Sequence, residues 1–210
     1  MSERVCHCFG AGEFFGIKEP VSAGDMIIAA DGGLNAAKEC GLSPDYVIGD
    51  FDSLGKIPKN ENITVLPAVK ETTDMFEAIA LGVKNGCNKI HVYGGTGGRL
   101  DHTIANIQLL KYFAERGVTL FIHGKDFTIT SVSNGVMYAE GEKGGYISVF
   151  SLSDVSEGVT LKNLKYELSG YDLTSAFPLG VSNEFTGNTA EISVRNGTLA
   201  VYYTTERNGF

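Results

Sequence analysis

The sequence predicts an α/β domain followed by an all-β domain, and the prediction rests on a change of hydrophobic pattern near residue 124. Before this point, short apolar runs alternate with segments of helical spacing, which is typical of a mostly parallel, doubly wound sheet covered by helices. After it, short β-rich runs are separated by Asn-Gly and Gly-Gly turns, which favours an antiparallel β-sandwich. We therefore expect domains at residues 1–124 and 125–210.

The first domain is predicted to alternate strands with helices. The strands are apolar runs at Val5–Phe9, Met26–Ala30, Tyr46–Ile48, Ile63–Leu66, Ile90–Tyr93 and Val118–Ile122. The helices have apolar residues three and four positions apart, at Leu34–Cys40, from Asp74 onward, and at Ile104–Tyr112. Thr72 or Thr73 is expected to cap the helix that begins at Asp74.

The second domain is predicted to contain only strands. They lie at Phe127–Ile129, Val136–Tyr138, Tyr146–Phe150, Gly158–Leu161, Lys165–Leu168, Ala190–Val194 and Leu199–Tyr203. Asn196-Gly197 between the last two runs predicts a β-hairpin. Ser182-Asn183 is compatible with a turn or with a small-molecule contact, and the residues alone leave both possibilities open.

Composition and charge restrict the class of protein. The formal net charge is −8 and there is no lysine- or arginine-rich run, so we do not expect a nucleic-acid partner. We expect neither a signal peptide nor a membrane-spanning run of ~20 apolar residues, and hence a cytoplasmic protein. Cys6, Cys8, Cys40 and Cys87 lack zinc-finger spacing and are expected to be reduced thiols.

Aspartates are predicted to collect at the carboxyl edge of the parallel sheet, where open α/β sheets bind their ligands. They are Asp31, Asp50, Asp52, Asp74 and Asp101. Any one of them could instead be structural, since an Asp such as Asp74 at the start of a helix also complements the helix dipole. Several like charges at one edge repel one another unless a cation or protons neutralise them. The set therefore favours a site for a divalent cation.

The segment Gly94-Gly95-Thr96-Gly97-Gly98-Arg99 has the composition of a phosphate-binding loop. Glycines let backbone N–H groups approach an anion closely, and a following helix N-terminus adds partial positive charge. Arg99 could neutralise phosphate oxygens. The segment is neither a Walker loop nor a dinucleotide fingerprint. His102 could be a general base, but its place beside Asp101 at a helix start favours an orienting or capping group.

Five short motifs are spread over most of the chain. Their order and spacing resemble those of the thiamine pyrophosphokinase family. They are Asp31-Gly32-Gly33, Gly49-Asp50-Phe51-Asp52-Ser53, Lys70-Glu71-Thr72-Thr73-Asp74, Gly94-Gly95-Thr96-Gly97-Gly98-Arg99-Leu100-Asp101 and Gly180-Val181-Ser182-Asn183. The resemblance implies transfer of the pyrophosphoryl group of ATP to the hydroxyl of thiamine, giving thiamine diphosphate and AMP. It also implies a homodimer whose active site lies near the domain and subunit interface.

The resemblance assigns roles to residues of this chain. Mg²⁺ would be held by Asp50, Asp52 and Asp74, and the catalytic residues would be Asp74, Arg99 and Asp101. ATP would contact Asp31, Gly32, Gly33, Asp50, Asp52, Thr73, Gly95, Gly97, Gly98 and Arg99. Thiamine would contact Lys70, Ser182 and Asn183.

Two departures from the family pattern concern thiamine. The chain has no tryptophan, so an aromatic residue that stacks on the vitamin must be Tyr or Phe, with Tyr202 and Tyr203 as candidates. Lys70-Glu71 stands where relatives commonly have Lys-Asp. The alternatives are a diphosphokinase that acts on another alcohol, such as 6-hydroxymethyl-dihydropterin, and a nucleotide sensor without catalytic activity.

Overall fold

The computed structural model describes residues 3–49, 63–65 and 71–205. The chain divides into two compact units. The first comprises Met1–Asn106 and Leu120–Lys125, and the second comprises Ile107–Thr119 and Asp126–Phe210.

The first unit is built on a parallel sheet. Its strands are β1 (Val5–Phe9), β2 (Met26–Ala30), β3 (Tyr46–Gly49), β4 (Ile63–Val65), β5 (Lys89–Tyr93) and β6 (Thr119–His123). They lie in the order β6-β5-β1-β2-β3-β4, and β1 pairs in parallel with both β2 and β5. The pairs β2–β3 and β3–β4 are also parallel. Cys6–Phe9 in β1 and Ile27–Ala30 in β2 are buried, as continuous apolar strands of a covered sheet should be.

The strand order reverses beside β1. The chain proceeds from β1 to β2, β3 and β4 on one side and then returns to place β5 on the other side of β1. In open α/β sheets, such a reversal of strand order creates a crevice at the carboxyl end of the sheet. This topology predicts where a ligand would bind.

Three helices follow the predicted pattern: α1 (Gly33–Glu39), α2 (Asp74–Lys84) and α3 (Leu100–Ala114). The predicted start of α2 is confirmed, since the Thr73 hydroxyl caps the helix by accepting a hydrogen bond from Phe76 N at 3.2 Å. The helix α3 begins one turn earlier than its apolar spacing indicated. No helix among residues 3–49, 63–65 and 71–205 is long and apolar enough to span a membrane.

The second unit contains two antiparallel β-layers. The strands are β7 (Phe127–Ser133), β8 (Val136–Ala139), β9 (Tyr146–Ser151), β10 (Val155–Lys162), β11 (Leu168–Thr174), β12 (Gly180–Glu184), β13 (Ala190–Ser193) and β14 (Thr198–Thr204). One layer has the order β12-β9-β14-β7 and the other β11-β10-β13-β8. Ile147, Val149 and Val201 from the first layer and Val159 and Ile192 from the second share one buried core. The predicted fold class is thus confirmed.

The hairpin predicted at Asn196-Gly197 is wrong, because β13 and β14 lie in different layers. The turn instead carries the chain from one layer to the other, as Asn134-Gly135 does between β7 and β8. The two turns hold each other: Asn134 N donates to Gly197 O at 3.0 Å, and Gly197 N donates to Asn134 Oδ1 at 2.8 Å. An Asn-Gly pair usually joins two neighbouring strands of one sheet. Here both Asn-Gly turns join strands of different layers, at the corner of the sandwich.

The segment around Tyr166 also differs from the prediction. A strand was expected over Lys165–Leu168, yet β11 begins only at Leu168. The reason is that the backbone N–H and C=O of Tyr166 bond to the side chain of Asn183 instead of a neighbouring strand. Ser182 and Asn183 lie in strand β12, so the turn considered for them is wrong.

Candidate active site

A cavity of about 380 Å³ lies in the first unit at the crevice beside β1. It is formed by the loops that follow β1, β2 and β5 and by the first turns of α2 and α3. The residues that line it are Gly10, Ala11, Gly12, Ala30, Asp31, Asp74, Met75, Gly94, Gly95, Gly97, Gly98, Arg99, His102 and Asn106. The cavity thus brings glycine-rich backbone, two carboxylates and one guanidinium together.

Two glycine-containing loops interlock at one wall of the cavity. Gly12 N donates to Gly94 O at 2.9 Å, and Glu13 N donates to Thr96 O at 3.0 Å. A Cβ atom on Gly12 would lie 2.5 Å from Gly94 O, and one on Gly94 would lie 2.4 Å from Gly10 O. Gly94 also has φ +61°, which favours glycine. The loops can therefore approach this closely only without side chains.

Arg99, which lines the cavity, forms a bidentate ion pair with Asp101, which does not line it. Arg99 Nε donates to Asp101 Oδ1 at 3.1 Å and Arg99 Nη2 to Oδ2 at 2.6 Å. The hydrogen bonds from Arg99 hold the pKa of the Asp101 carboxyl below its ordinary value. Both side chains are well exposed, so the pair contributes little to stability. The Arg99 guanidinium therefore remains accessible to an anion that enters the cavity.

Asp31 and Asp74 place two carboxylates on the cavity from different elements. Asp31 follows β2 with φ +48°, a conformation that Asp tolerates better than most residues, and its N–H donates to Ile48 O at 2.7 Å. Asp74 is the first residue of α2, where the helix dipole favours a negative charge. Within the described residues, no group of three or more His, Cys, Asp or Glu side chains could hold a metal ion. Asp31 and Asp74 nevertheless offer oxygen ligands of the kind that Mg²⁺ accepts.

Several predicted site residues do not line this cavity. Gly32 is the N-cap of α1, and Gly33 packs against β1 so closely that a Cβ atom would lie 2.0 Å from Phe9 O. The Thr73 hydroxyl caps α2. The predicted metal ligands Asp50 and Asp52 and the predicted thiamine contact Lys70 lie outside the described residues.

The two thiamine contacts predicted in the second unit have different surroundings. Ser182 is exposed, has φ +60° and lies at an irregularity in the pairing of β12 with β9, which is typical of a β-bulge. Asn183 is 4% exposed. Its Oδ1 accepts from Tyr166 N at 2.9 Å and its Nδ2 donates to Tyr166 O at 2.6 Å. The Asn183 amide therefore joins β12 to the segment before β11.

The aromatic candidates for stacking on thiamine lie on β14 in the second unit. Tyr202 packs against Phe127, with 5.2 Å between ring centroids, and burial raises its pKa. Tyr203 packs against the buried core of the second unit. Both rings thus have packing roles within their own unit.

The cavity also includes residues that were not predicted as site residues: Gly10, Ala11, Gly12, Ala30, Met75 and Asn106. Gly10-Ala11-Gly12 follows the first strand of an open α/β sheet, which is a usual site of phosphate-binding loops. Asn106 lies four residues after His102, so the two share one face of α3. That spacing was the available signal.

A ladder of buried histidines lies within the sheet of the first unit. His7, His91 and His123 come from the neighbouring strands β1, β5 and β6, and the rings of His7 and His91 and of His91 and His123 stack with 5.2 Å between centroids. His91 Nδ1 and His123 Nε2 are 2.9 Å apart. Burial lowers the pKa of His91 to about 3 and that of His123 to about 4, and it lowers the pKa of His7 as well. The ladder is therefore neutral at physiological pH.

Comparison with known proteins identifies the family. The thiamin pyrophosphokinase catalytic-domain family matches residues 17–122, and the thiamin pyrophosphokinase vitamin B1 binding-domain family matches residues 136–199. The chain is 28% identical over 186 residues to a thiamine pyrophosphokinase of Bacillus subtilis (strain 168), covering 85% of this chain and 87% of that protein.

Two crystal structures resemble the fold of the chain. A thiamine pyrophosphokinase of Bacillus subtilis superimposes with a TM-score of 0.84 at 24% identity, covering 97% of this chain and 100% of that chain. One from Geobacillus thermodenitrificans gives a TM-score of 0.82 at 25% identity, covering 98% and 100%. The likeness thus extends over the α/β and the β parts alike. The family resemblance inferred from the five motifs is confirmed, and the chain belongs to the thiamin pyrophosphokinase family.

Proposed function

We propose that this enzyme transfers the pyrophosphoryl group of ATP to the hydroxyl of thiamine at the cavity of the first unit, in a Mg²⁺-dependent reaction. The observation that supports the site most strongly is the joint lining of one cavity by the Gly94–Gly98 loop, Arg99, Asp31 and Asp74. In the transfer, the thiamine oxygen forms a bond to the β-phosphorus while the bond from that phosphorus to the α-phosphate oxygen breaks. AMP leaves, and the hydroxyl proton passes to a carboxylate or to solvent.

The polyphosphate is proposed to bind along the glycine loops. Gly95, Gly97 and Gly98 present backbone to the cavity, and Arg99 adds a planar cation suited to phosphate oxygens. On binding, the phosphate would replace Asp101 as the partner of the Arg99 guanidinium. Asp31 lines the same cavity and would lie near the nucleotide. Gly32 and Gly33 would shape the turn that carries Asp31.

Asp74, with Asp50 and Asp52, is proposed to hold Mg²⁺. The ion would supply charge neutralisation for the phosphates. Asp74 suits this role because it lines the cavity from a helix N-terminus, and the two carboxylates that the cavity offers fit an ion that keeps several waters. Thr73 contributes by capping the helix that carries Asp74.

Asp101 is proposed to align the attacking hydroxyl. A carboxylate is a weak base toward an alcohol, so alignment is proposed to outweigh proton abstraction in the contribution of Asp101. Asp74 is the alternative residue for the same step. An alcohol has a very high pKa, so either carboxylate would accept the proton late in the transfer.

The two halves of the chain are proposed to bind different substrates. Residues 1–124 would form the nucleotide-binding catalytic domain, and residues 125–210 would form a thiamine-binding and dimerisation domain that contributes Ser182 and Asn183, with Lys70 from the first. The match of the vitamin B1 binding-domain family to residues 136–199 supports this division. Since Asn183 is buried, we propose that it acts by shaping β12, whereas Ser182 contacts the vitamin.

We also propose a homodimer with active sites near the subunit interface. The second unit exposes large side chains that a partner could cover: Tyr138 is 67% exposed, Phe177 65% and Tyr166 59%. A cytoplasmic location is proposed as well, because all four cysteines are free thiols, as expected in a reducing compartment.

The proposed acceptor is tested by incubating the protein with Mg-ATP and each candidate alcohol separately. We expect AMP with thiamine and none above background with 6-hydroxymethyl-dihydropterin. AMP formed only with the pterin would favour the alternative diphosphokinase. Nucleotide binding without AMP from either alcohol would favour the sensor.

A further inference from the structure

Three successive carbonyl groups of the Gly94–Gly98 loop are each bonded to a donor. Gly94 O accepts from Gly12 N at 2.9 Å, and Thr96 O accepts from Glu13 N at 3.0 Å. Between them, Gly95 O accepts from Asn106 Nδ2 at 2.7 Å. Two of these donors belong to the backbone of the facing loop. Asn106 is the one side chain in the set.

The direction of these carbonyls matters for an anion. A carbonyl oxygen carries partial negative charge, so one that faced the cavity would repel a phosphate. The N–H and C=O groups of one peptide point in opposite directions, since the trans unit is planar. The bond from Asn106 fixes the direction of the Gly95 carbonyl, and the Thr96 N–H of the same peptide therefore points the opposite way.

Asn106 is placed to hold this carbonyl rigidly. It is 6% exposed in the middle of α3, a position that disfavours Asn unless its amide is hydrogen-bonded. Gly95 is itself confined: a Cβ atom there would lie 2.8 Å from Val92 Cγ1, 3.2 Å from Ile122 Cγ2 and 3.6 Å from Asn106 Nδ2. Asn106 also lines the cavity itself. The peptide after Gly95 is thus held by a buried amide at a position that lines the cavity.

We propose that Asn106 is a positioning residue, which keeps the Gly95 carbonyl out of the polyphosphate site. This role rests on the proposed function, in that the cavity must bind the phosphates of a nucleotide. Asn106→Asp replaces the donor with a carboxylate of the same shape, which would repel the Gly95 carbonyl and favour rotation of its peptide. Asn106→Ala removes the donor without adding charge.

The test is titration calorimetry with Mg-ADP, together with KM for ATP, KM for thiamine and kcat. We expect Asn106→Asp to weaken Mg-ADP binding at least about tenfold and to raise KM for ATP in parallel. Asn106→Ala should weaken Mg-ADP binding and raise KM for ATP by about threefold to tenfold. KM for thiamine should stay within about twofold of wild type in both variants, because the loop is proposed to hold ATP alone.

The matched control is Gln108→Glu, the same change from amide to acid at an exposed position of the same helix. It should leave nucleotide affinity within about twofold of wild type. A purely structural Asn106 would lower the melting temperature while folded protein kept its affinity, and that result would overturn the proposal. If Asn106→Asp does not fold, Asn106→Ala decides by the same criterion. A wild type that binds Mg-ADP but forms no AMP with thiamine would refute the proposed function instead.

Discussion

Two short segments predicted to contact substrates use their polar atoms in opposite ways. In the first unit, the carbonyls of Gly94, Gly95 and Thr96 are bonded to neighbouring groups, while the glycines of the same loop and Arg99 line a cavity. In the second unit, Asn183 is buried and its amide bonds to the backbone of Tyr166. A family motif can therefore mark residues that touch a ligand or residues that build the surface that does.

Arg99→Ala should have the largest effect. We expect kcat/KM to fall about 10³-fold with the fold intact, because the guanidinium would stabilise phosphoryl charge and contributes little to stability. Steady-state AMP formation measures it. The control is Arg116→Ala, which removes an exposed arginine stacked 3.6 Å from the Tyr112 ring centroid. Equal losses in the two variants would remove Arg99 from the site.

Gly94→Ala should lower kcat/KM for ATP about 100-fold, because its methyl group would meet Gly10 O and separate the two loops. Gly117→Ala is the matched control: it has φ +75° but no atom within 4 Å of the added methyl. That variant should lose about 1 kcal/mol of stability and keep its kinetics. Similar kinetics in both variants would show that the close approach of the loops is unimportant.

Asn183→Ala should lower the free energy of unfolding by about 2–3 kcal/mol, because it leaves the N–H and C=O groups of Tyr166 without their partner. Ser182→Ala should change stability by less than about 0.5 kcal/mol and raise KM for thiamine severalfold. Urea unfolding and initial rates separate the two effects. An Asn183→Ala variant of unchanged stability with a raised KM for thiamine would make Asn183 a direct contact.

The histidine ladder predicts acid sensitivity of the first unit. Its folded-state pKa values lie below the unfolded value near 6.5, so the unfolded chain binds more protons as pH falls. Stability should therefore be fully present above about pH 6.5. It should decline below that pH by up to about 1.4 kcal/mol per pH unit for each titrating histidine.

His91→Phe should reduce that pH dependence, measured as unfolding free energy between pH 4 and 7, since one titrating group is removed. His102→Asn removes an exposed histidine and is the control. An unchanged slope in His91→Phe would mean that the ladder does not control acid unfolding.

The sequence analysis predicted elements well where local pattern and tertiary role agree. The apolar runs at Val5–Phe9 and Met26–Ala30 and the cap of Thr73 on α2 are examples. It failed at Asn196-Gly197 because the local turn signal does not say which layer the next strand joins. It failed at Lys165–Leu168 because the competing partner, the Asn183 side chain, lies 17 residues away from Tyr166.

The acidic residues and the glycine-rich loop of the candidate site could be predicted from the sequence. Several aspartates and a cluster of glycines that follow strands of a parallel sheet indicate a ligand site. Asn106 was less visible, because its spacing from His102 predicts only a shared face of α3, and the role of its amide depends on the bond to Gly95 O. The contact of Gly10–Gly12 with Gly94 could not be predicted, since it depends on β1 and β5 being neighbours.

ATP labelled at the β-phosphate can show whether the cavity of the first unit carries out pyrophosphoryl transfer. Wild type with Mg²⁺ and thiamine should place the label in thiamine diphosphate and release unlabelled AMP in equal amount, and Arg99→Ala should abolish nearly all of it. Labelled ADP as the nucleotide product, or undiminished transfer in Arg99→Ala, would contradict the account.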